Sequence, residues 1–166
     1  MNILLIGNLI SGIGCLLMVL IGLLRKKSHI LLAQSLQCVF MGVGHLVLGG
    51  TSGFIANMVS IVRNLVFLKF EATKGRRLFF ILVQLLLSLG SLGGGLICWI
   101  PIFNTALFTW SLDIKNEIRL KAVILFTQCL WFVYDLTYRN YVAMVFDLMA
   151  IIANGIGIAM IRKANA

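Results

Sequence analysis

The residues of this chain with most chemical potential are Gln37, Asn57, Asn64, Gln128, Asp147 and Asn154, with Arg63 beside one of them. Each interrupts an otherwise apolar stretch. Asn57 and Asn64 are seven positions apart, which on a helix puts them within about 20° of each other. Asp147 and Asn154 repeat that spacing. Amides with one carboxylate suit recognition of a polar solute by hydrogen bonds better than they suit bond making. Nucleophile–base pairs and paired acid–base groups are lacking, so the chain is not expected to be an enzyme. His29 and His45 lie about 24 Å apart along one helix and cannot share a metal. Cys15, Cys38, Cys98 and Cys129 sit in apolar stretches without a CxxC pair, so no metal, disulfide framework or cofactor is expected. A glycine-rich phosphate loop is also missing.

The elements that must hold these side chains are membrane spans. Apolar residues make up 61% of the chain and charged ones 11%, against roughly half and a quarter in a soluble domain. Crossing a bilayer takes about 20 apolar residues. Apolar stretches fall at 3–24, 29–49, 52–68, 78–95, 97–113, 120–137 and 141–161. With seven spans, twelve basic residues fall on one side and Arg139 alone on the other, Arg63 being inside the third span. If 97–113 did not cross, as in a re-entrant hairpin, the division would be eight to five. The positive-inside rule prefers the first partition, with the N-terminus outside and the C-terminus cytosolic. That rule also explains the net charge of +9 without a nucleic-acid partner. Met1 to Leu5 has no basic run and Arg25-Lys26-Lys27 follows the first apolar stretch, so an anchor is expected there and not a signal peptide. Gly93-Gly94-Gly95 can turn tightly, and Pro101 then falls in the first turn of the next helix.

The two ends of the chain resemble each other. Gln37-Cys38-Val39-Phe40 matches Gln128-Cys129-Leu130-Trp131, and after a one-residue deletion in the outer loop Asn57 aligns with Asp147 and Asn64 with Asn154. Asn8 and Asn104 form a looser pair. The expected architecture is all-α and membrane-integral, with two parallel three-helix repeats (1–70 and 97–166) joined by a cytosolic loop and linker helix (71–96). Stripes at Gly7, Ser11 and Cys15, at Gly90 and Gly94, and at Ala153 and Gly157 are expected to let helices pack closely.

The segment from Gln34 to Asn64, with Gly49-Gly50-Thr51-Ser52-Gly53 inside it, resembles the YgjV-type bacterial inner-membrane proteins. Trp99-Ile100-Pro101-Ile102, Trp131 and Tyr134 are similar too. The resemblance covers most of the chain and implies a multi-pass protein of the cytoplasmic membrane. The 3-1-3 arrangement is also similar to PnuC-type and SWEET transporters, although tryptophan-rich motifs of the PnuC type are not evident, and a shared arrangement says little about substrate.

The polar residues then have two readings. They glue helices together, or the duplicated sets meet and line a path for a small polar solute. Arg63 either snorkels to the cytosolic surface, or serves as a charge partner for Asp147 or for an anionic group of a solute. His45 and Asp135 fall at nearly equivalent positions of the two halves, either touching near the mouth or lying as ordinary interfacial residues. The functional expectation is a transporter working by alternating access, with the bilayer and an unknown solute as partners and Asp147 available for proton coupling. A homo-oligomer is compatible with this. The alternative is a non-transporting assembly factor or subunit of a larger membrane complex.

Overall fold

The computed structural model describes residues 2–21, 26–114 and 116–164. Arg25, Lys115 and the last positions of the first expected span, 22–24, lie outside the described residues. Among the described residues seven α-helices follow one another: α1 (Ile3–Ile21), α2 (Lys27–Val47), α3 (Thr51–Lys69), α4 (Lys74–Ser88), α5 (Trp99–Trp110), α6 (Glu117–Thr137) and α7 (Tyr141–Ala164). The expected all-helical, seven-helix membrane fold is therefore what forms.

Among the described residues five helices, α1, α2, α3, α6 and α7, are long and apolar enough to cross a bilayer as unbroken α-helix. The fourth and fifth reach by a different route. α4 has 15 residues and continues as 3₁₀-helix over Leu89–Gly94. The 3₁₀ form rises about 2.0 Å per residue against 1.5 Å in the α-helix, which brings the whole element to roughly 34 Å. α5 is likewise extended by 3₁₀ turns at Leu96–Cys98 and Ser111–Asp113. Gly95 separates the two elements at φ +83°, a conformation only glycine adopts freely. Thr73 Oγ1 accepts from Arg76 N and Asn116 Oδ1 from Arg119 N, capping α4 and α6 at the same, basic end of the bundle.

Two turns at the opposite end are copies of each other. Leu48, Gly49 and Gly50 donate backbone hydrogen bonds to Gly44, Leu46 and His45, and Tyr138, Arg139 and Asn140 donate likewise to Tyr134, Leu136 and Asp135. The central residue has positive φ in both, +88° at Gly49 and +56° at Arg139. Because the turns are equally long, the deletion that the Gln37–Gln128 match requires is not in the loop. α2 and α6 are continuous 21-residue helices running into these turns. Gln37 and Gln128 are therefore one position out of register.

Around the bundle, α1 packs on α2, α2 on α3, α3 on α5, α5 on α6, α6 on α7 and α7 on α1, while α4 lies against α3 and α5. Phe67 and Phe80, with rings edge to face at 5.6 Å, join Leu31 and Val59 in the apolar wedge that seats α4. The α1 stripe packs as its spacing suggests. Gly7 faces Leu48, Ser11 meets Gly44, and Cys15 Sγ lies 3.9 Å from Met41 Sδ. The Gly90–Gly94 stripe does not, since a Cβ at Gly90 would meet open space. Those glycines sit in 3₁₀-helix, where a four-residue spacing no longer defines a face.

Burial is inverted relative to a soluble protein. Among the described residues twenty buried side chains are polar or charged and ten are apolar, while Leu9, Leu16, Leu86, Met149 and Met160 face outward. That pattern suits a surrounding of lipid and a polar interior.

Candidate functional site

The six-helix ring encloses a cavity of about 350 Å³. α1 contributes Cys15, Met18 and Ile21, and α2 contributes Gln34, Gln37, Cys38, Met41 and His45. α3 adds Asn57, Ser60, Arg63 and Asn64; α5 adds Asn104, Thr105 and Phe108. α6 and α7 complete the wall with Ile124, Thr127, Gln128, Trp131, Asp135 and Asp147. Gln37, Asn57, Asn64, Gln128, Asp147 and Arg63 are thus brought together. Asn154 is placed apart, half-buried, with its Nδ2 donating 2.8 Å back to Ala150 O on its own helix.

Arg63, 3% exposed, is neither at the cytosolic surface nor, among the described residues, paired with Asp147. Its Nε and Nη2 donate to Asn64 Oδ1 at 3.3 and 3.1 Å, and Nη1 donates to Thr109 Oγ1 at 2.7 Å. The guanidinium carbon stands 5.4 Å from the centre of the Phe108 ring. Thr109 completes the relay by donating to Thr105 O at 2.6 Å. Three of the five guanidinium N–H groups are used in this way.

The turn end of the cavity is closed by a buried layer. His45 and Asp135, each 1% exposed, meet at 2.8 Å between Nε2 and Oδ1, so they are not interfacial residues. His45 Nε2 donates to the carboxylate and Nδ1 accepts from Asn57 Nδ2 at 3.4 Å, a pattern that uses one N–H and one lone pair of the ring. Asn140 Nδ2 donates to the same Asp135 oxygen at 3.1 Å. Trp131 stacks on His45 at 5.5 Å. Tyr134 Oη accepts from Gly53 N at 2.8 Å and pairs with Ser52 Oγ at 3.0 Å, tying α6 to the start of α3. Asn8 does the same between α1 and α7, its Oδ1 accepting from Val142 N and its Nδ2 donating to Arg139 O, both at 3.0 Å.

Three buried atoms lining this space have no protein partner: Asn64 Nδ2, Asn104 Oδ1 and Asp147 Oδ2. Asp147 Oδ1 accepts from Gln128 Nε2 at 3.3 Å. Polar atoms buried without a hydrogen bond cost about 1–3 kcal/mol each, so something in the cavity must satisfy them. Thr105 and Thr127 are lining residues that the sequence does not single out, because a Thr at membrane depth is commonly spent on its own helix backbone. Thr127 Oγ1 is indeed bonded to Ile124 O. No group of three or more metal-ligating side chains occurs among the described residues.

Apolar flanks, polar interior and a closed helical ring define a seven-helix integral membrane protein with an internal polar cavity. The chain matches the model of the Imp-YgjV bacterial inner membrane protein family over residues 5–165 and belongs to that family. No curated protein and no solved structure matches it.

Proposed function

We propose that this inner-membrane protein is a transporter of a small polar solute, working by alternating access between a half built from α1–α3 and a half built from α5–α7. The observation that carries the reading is the set of unpartnered polar atoms in a cavity that both halves line. Helix glue would spend these atoms on neighbouring helices, whereas here they line a shared space.

The twin turns support an internal duplication, and so does the neighbour pattern, which is unchanged when α1, α2 and α3 are exchanged for α5, α6 and α7. His45 and Asp135 occupy matching places in those turns and touch each other, so the pseudo-two-fold axis runs between them. The Asn8–Asn104 pair is not part of this symmetry, as Asn104 donates to Thr127 O on α6 while Asn8 serves α7. The twelve-to-one basic bias puts the turn end outside and the Lys69 and Arg162 end in the cytosol. The His45–Asp135 layer and the Asn8 and Tyr134 ties then close the outer end, and the cavity extends toward Ile21 and Phe108 on the cytosolic side. Rocking of the halves about the axis would break those ties and open the other face.

The test places a single cysteine at position 64 in a protein with its four native cysteines replaced, with cysteines at 74 and 139 as face markers. A membrane-impermeant thiol reagent is expected to label position 64 from the cytosolic side and, more slowly, from outside. If 74 and 139 label on opposite faces while 64 reacts from neither, transport falls. An assembly factor or complex subunit would then be the better account.

A further inference from the structure

Arg63 is a buried cation lining a cavity, with no carboxylate within ion-pair distance among the described residues. An arginine inside a membrane protein is costly without a counter-charge. Its bonds to Asn64 and Thr109 go to neutral oxygens and leave two N–H groups over. The next polar atom, Asn64 Nδ2, is an unpartnered donor in the same wall. Donors without acceptors at a buried positive charge describe a seat for an anionic oxygen group.

The other end of the cavity has the opposite deficit. Asp147 is 7% exposed and its Oδ2 has no partner. Asp135 lines the same cavity. Two buried carboxyls lining one cavity favour a cationic group there. Trp131 stands in the adjacent wall, where an aromatic face favours a cationic group. Asp147 and Asn57 are each the seventh residue of their helices, and Arg63 is six residues deeper, so the two seats lie about 9 Å apart along the bundle axis.

We infer that the cavity takes a small amphoteric solute, its acidic group on Arg63 and Asn64 and its ammonium group on Asp147 and Asp135. This rests on the transport reading and names the substrate class within it. Either charge alone would leave the far end of the cavity uncompensated, so singly charged solutes of equal length bind less well.

The experiment uses the purified full chain in lipid nanodiscs and calorimetric titration with ω-amino acids of rising length, from glycine to aminocaproate. Caproate and hexylamine serve as single-charge homologues. At least one amino acid is expected to bind about tenfold more tightly than both homologues. Asp147→Asn is expected to lower its affinity to that of caproate, and Arg63→Gln to lower it to that of hexylamine. If no amino acid of the series exceeds its homologues, the inference is overturned, and this comparison needs no variant to fold. Thiol labelling at position 64 is a separate readout. Labelling from both faces with no preference for amino acids would sink the amphoteric solute and leave transport standing.

Discussion

A histidine and an aspartate in buried contact between α2 and α6 carry more structural weight than either would alone. Asp135 Oδ1 accepts from both His45 Nε2 and Asn140 Nδ2, so one carboxylate oxygen joins α2, α6 and the turn into α7. Replacing it with alanine strands two buried donors, at a cost of about 3 kcal/mol. Asp135→Ala is therefore expected to unfold at clearly lower temperature in detergent, while Asp135→Asn, which keeps an acceptor oxygen, loses less than half as much. Equal losses would mean that packing and not hydrogen bonding holds this layer. Gln37, Asn57, Asn64, Gln128 and Asp147 were legible as amides and a carboxylate in apolar sequence, since few other reasons put such groups there. The partner of Arg63 was not. A guanidinium on a flexible stem can reach up or down its helix, and spacing along the chain does not say which oxygen it meets. Asn154 misled for a related reason, as seven-residue spacing gives a shared direction but not the point where α7 leaves the cavity wall.

Helix count came from charge bias and apolar length, and it was secure because a wrong count would have scattered the basic residues on both sides. The internal form of the fourth and fifth elements was less legible. Glycines in Leu89–Gly94 tighten to 3₁₀-helix because they lack side chains to resist it, and hydropathy does not report pitch. Glycines with similar surroundings in sequence accordingly differ in consequence. A Cβ at Gly53 would stand 2.8 Å from Tyr134 Oη and 2.9 Å from His45 Nδ1, both rigidly held, whereas Gly90 has nothing within 4 Å. Gly53→Ala is expected to cost about 1–3 kcal/mol by forcing α3 from α6. Gly90→Ala is expected to leave the melting temperature unchanged. A Gly53→Ala protein as stable as the parent would show that the Tyr134 tie at the start of α3 is dispensable.

At the level of the whole molecule, the ring of six helices has one closed end, and the halves meet there through three ties of different chemistry. The tie between α1 and α7 is the one most readily made permanent. Gly12 faces Val142, with a Cβ at Gly12 falling 3.4 Å from Val142 Cγ1, so side chains at these two positions touch. Alternating access requires these outer ends to part before the outside can reach the cavity. The most direct test adds Gly12→Cys and Val142→Cys to the protein carrying a single cysteine at position 64, and reads the labelled peptide by mass spectrometry after oxidation. Oxidation is predicted to abolish labelling of position 64 from the outer face, spare labelling from the cytosolic face, and reverse on reduction. Outer-face labelling that persists with the disulfide formed would contradict the account, because the cavity would then be reached without any parting of the halves.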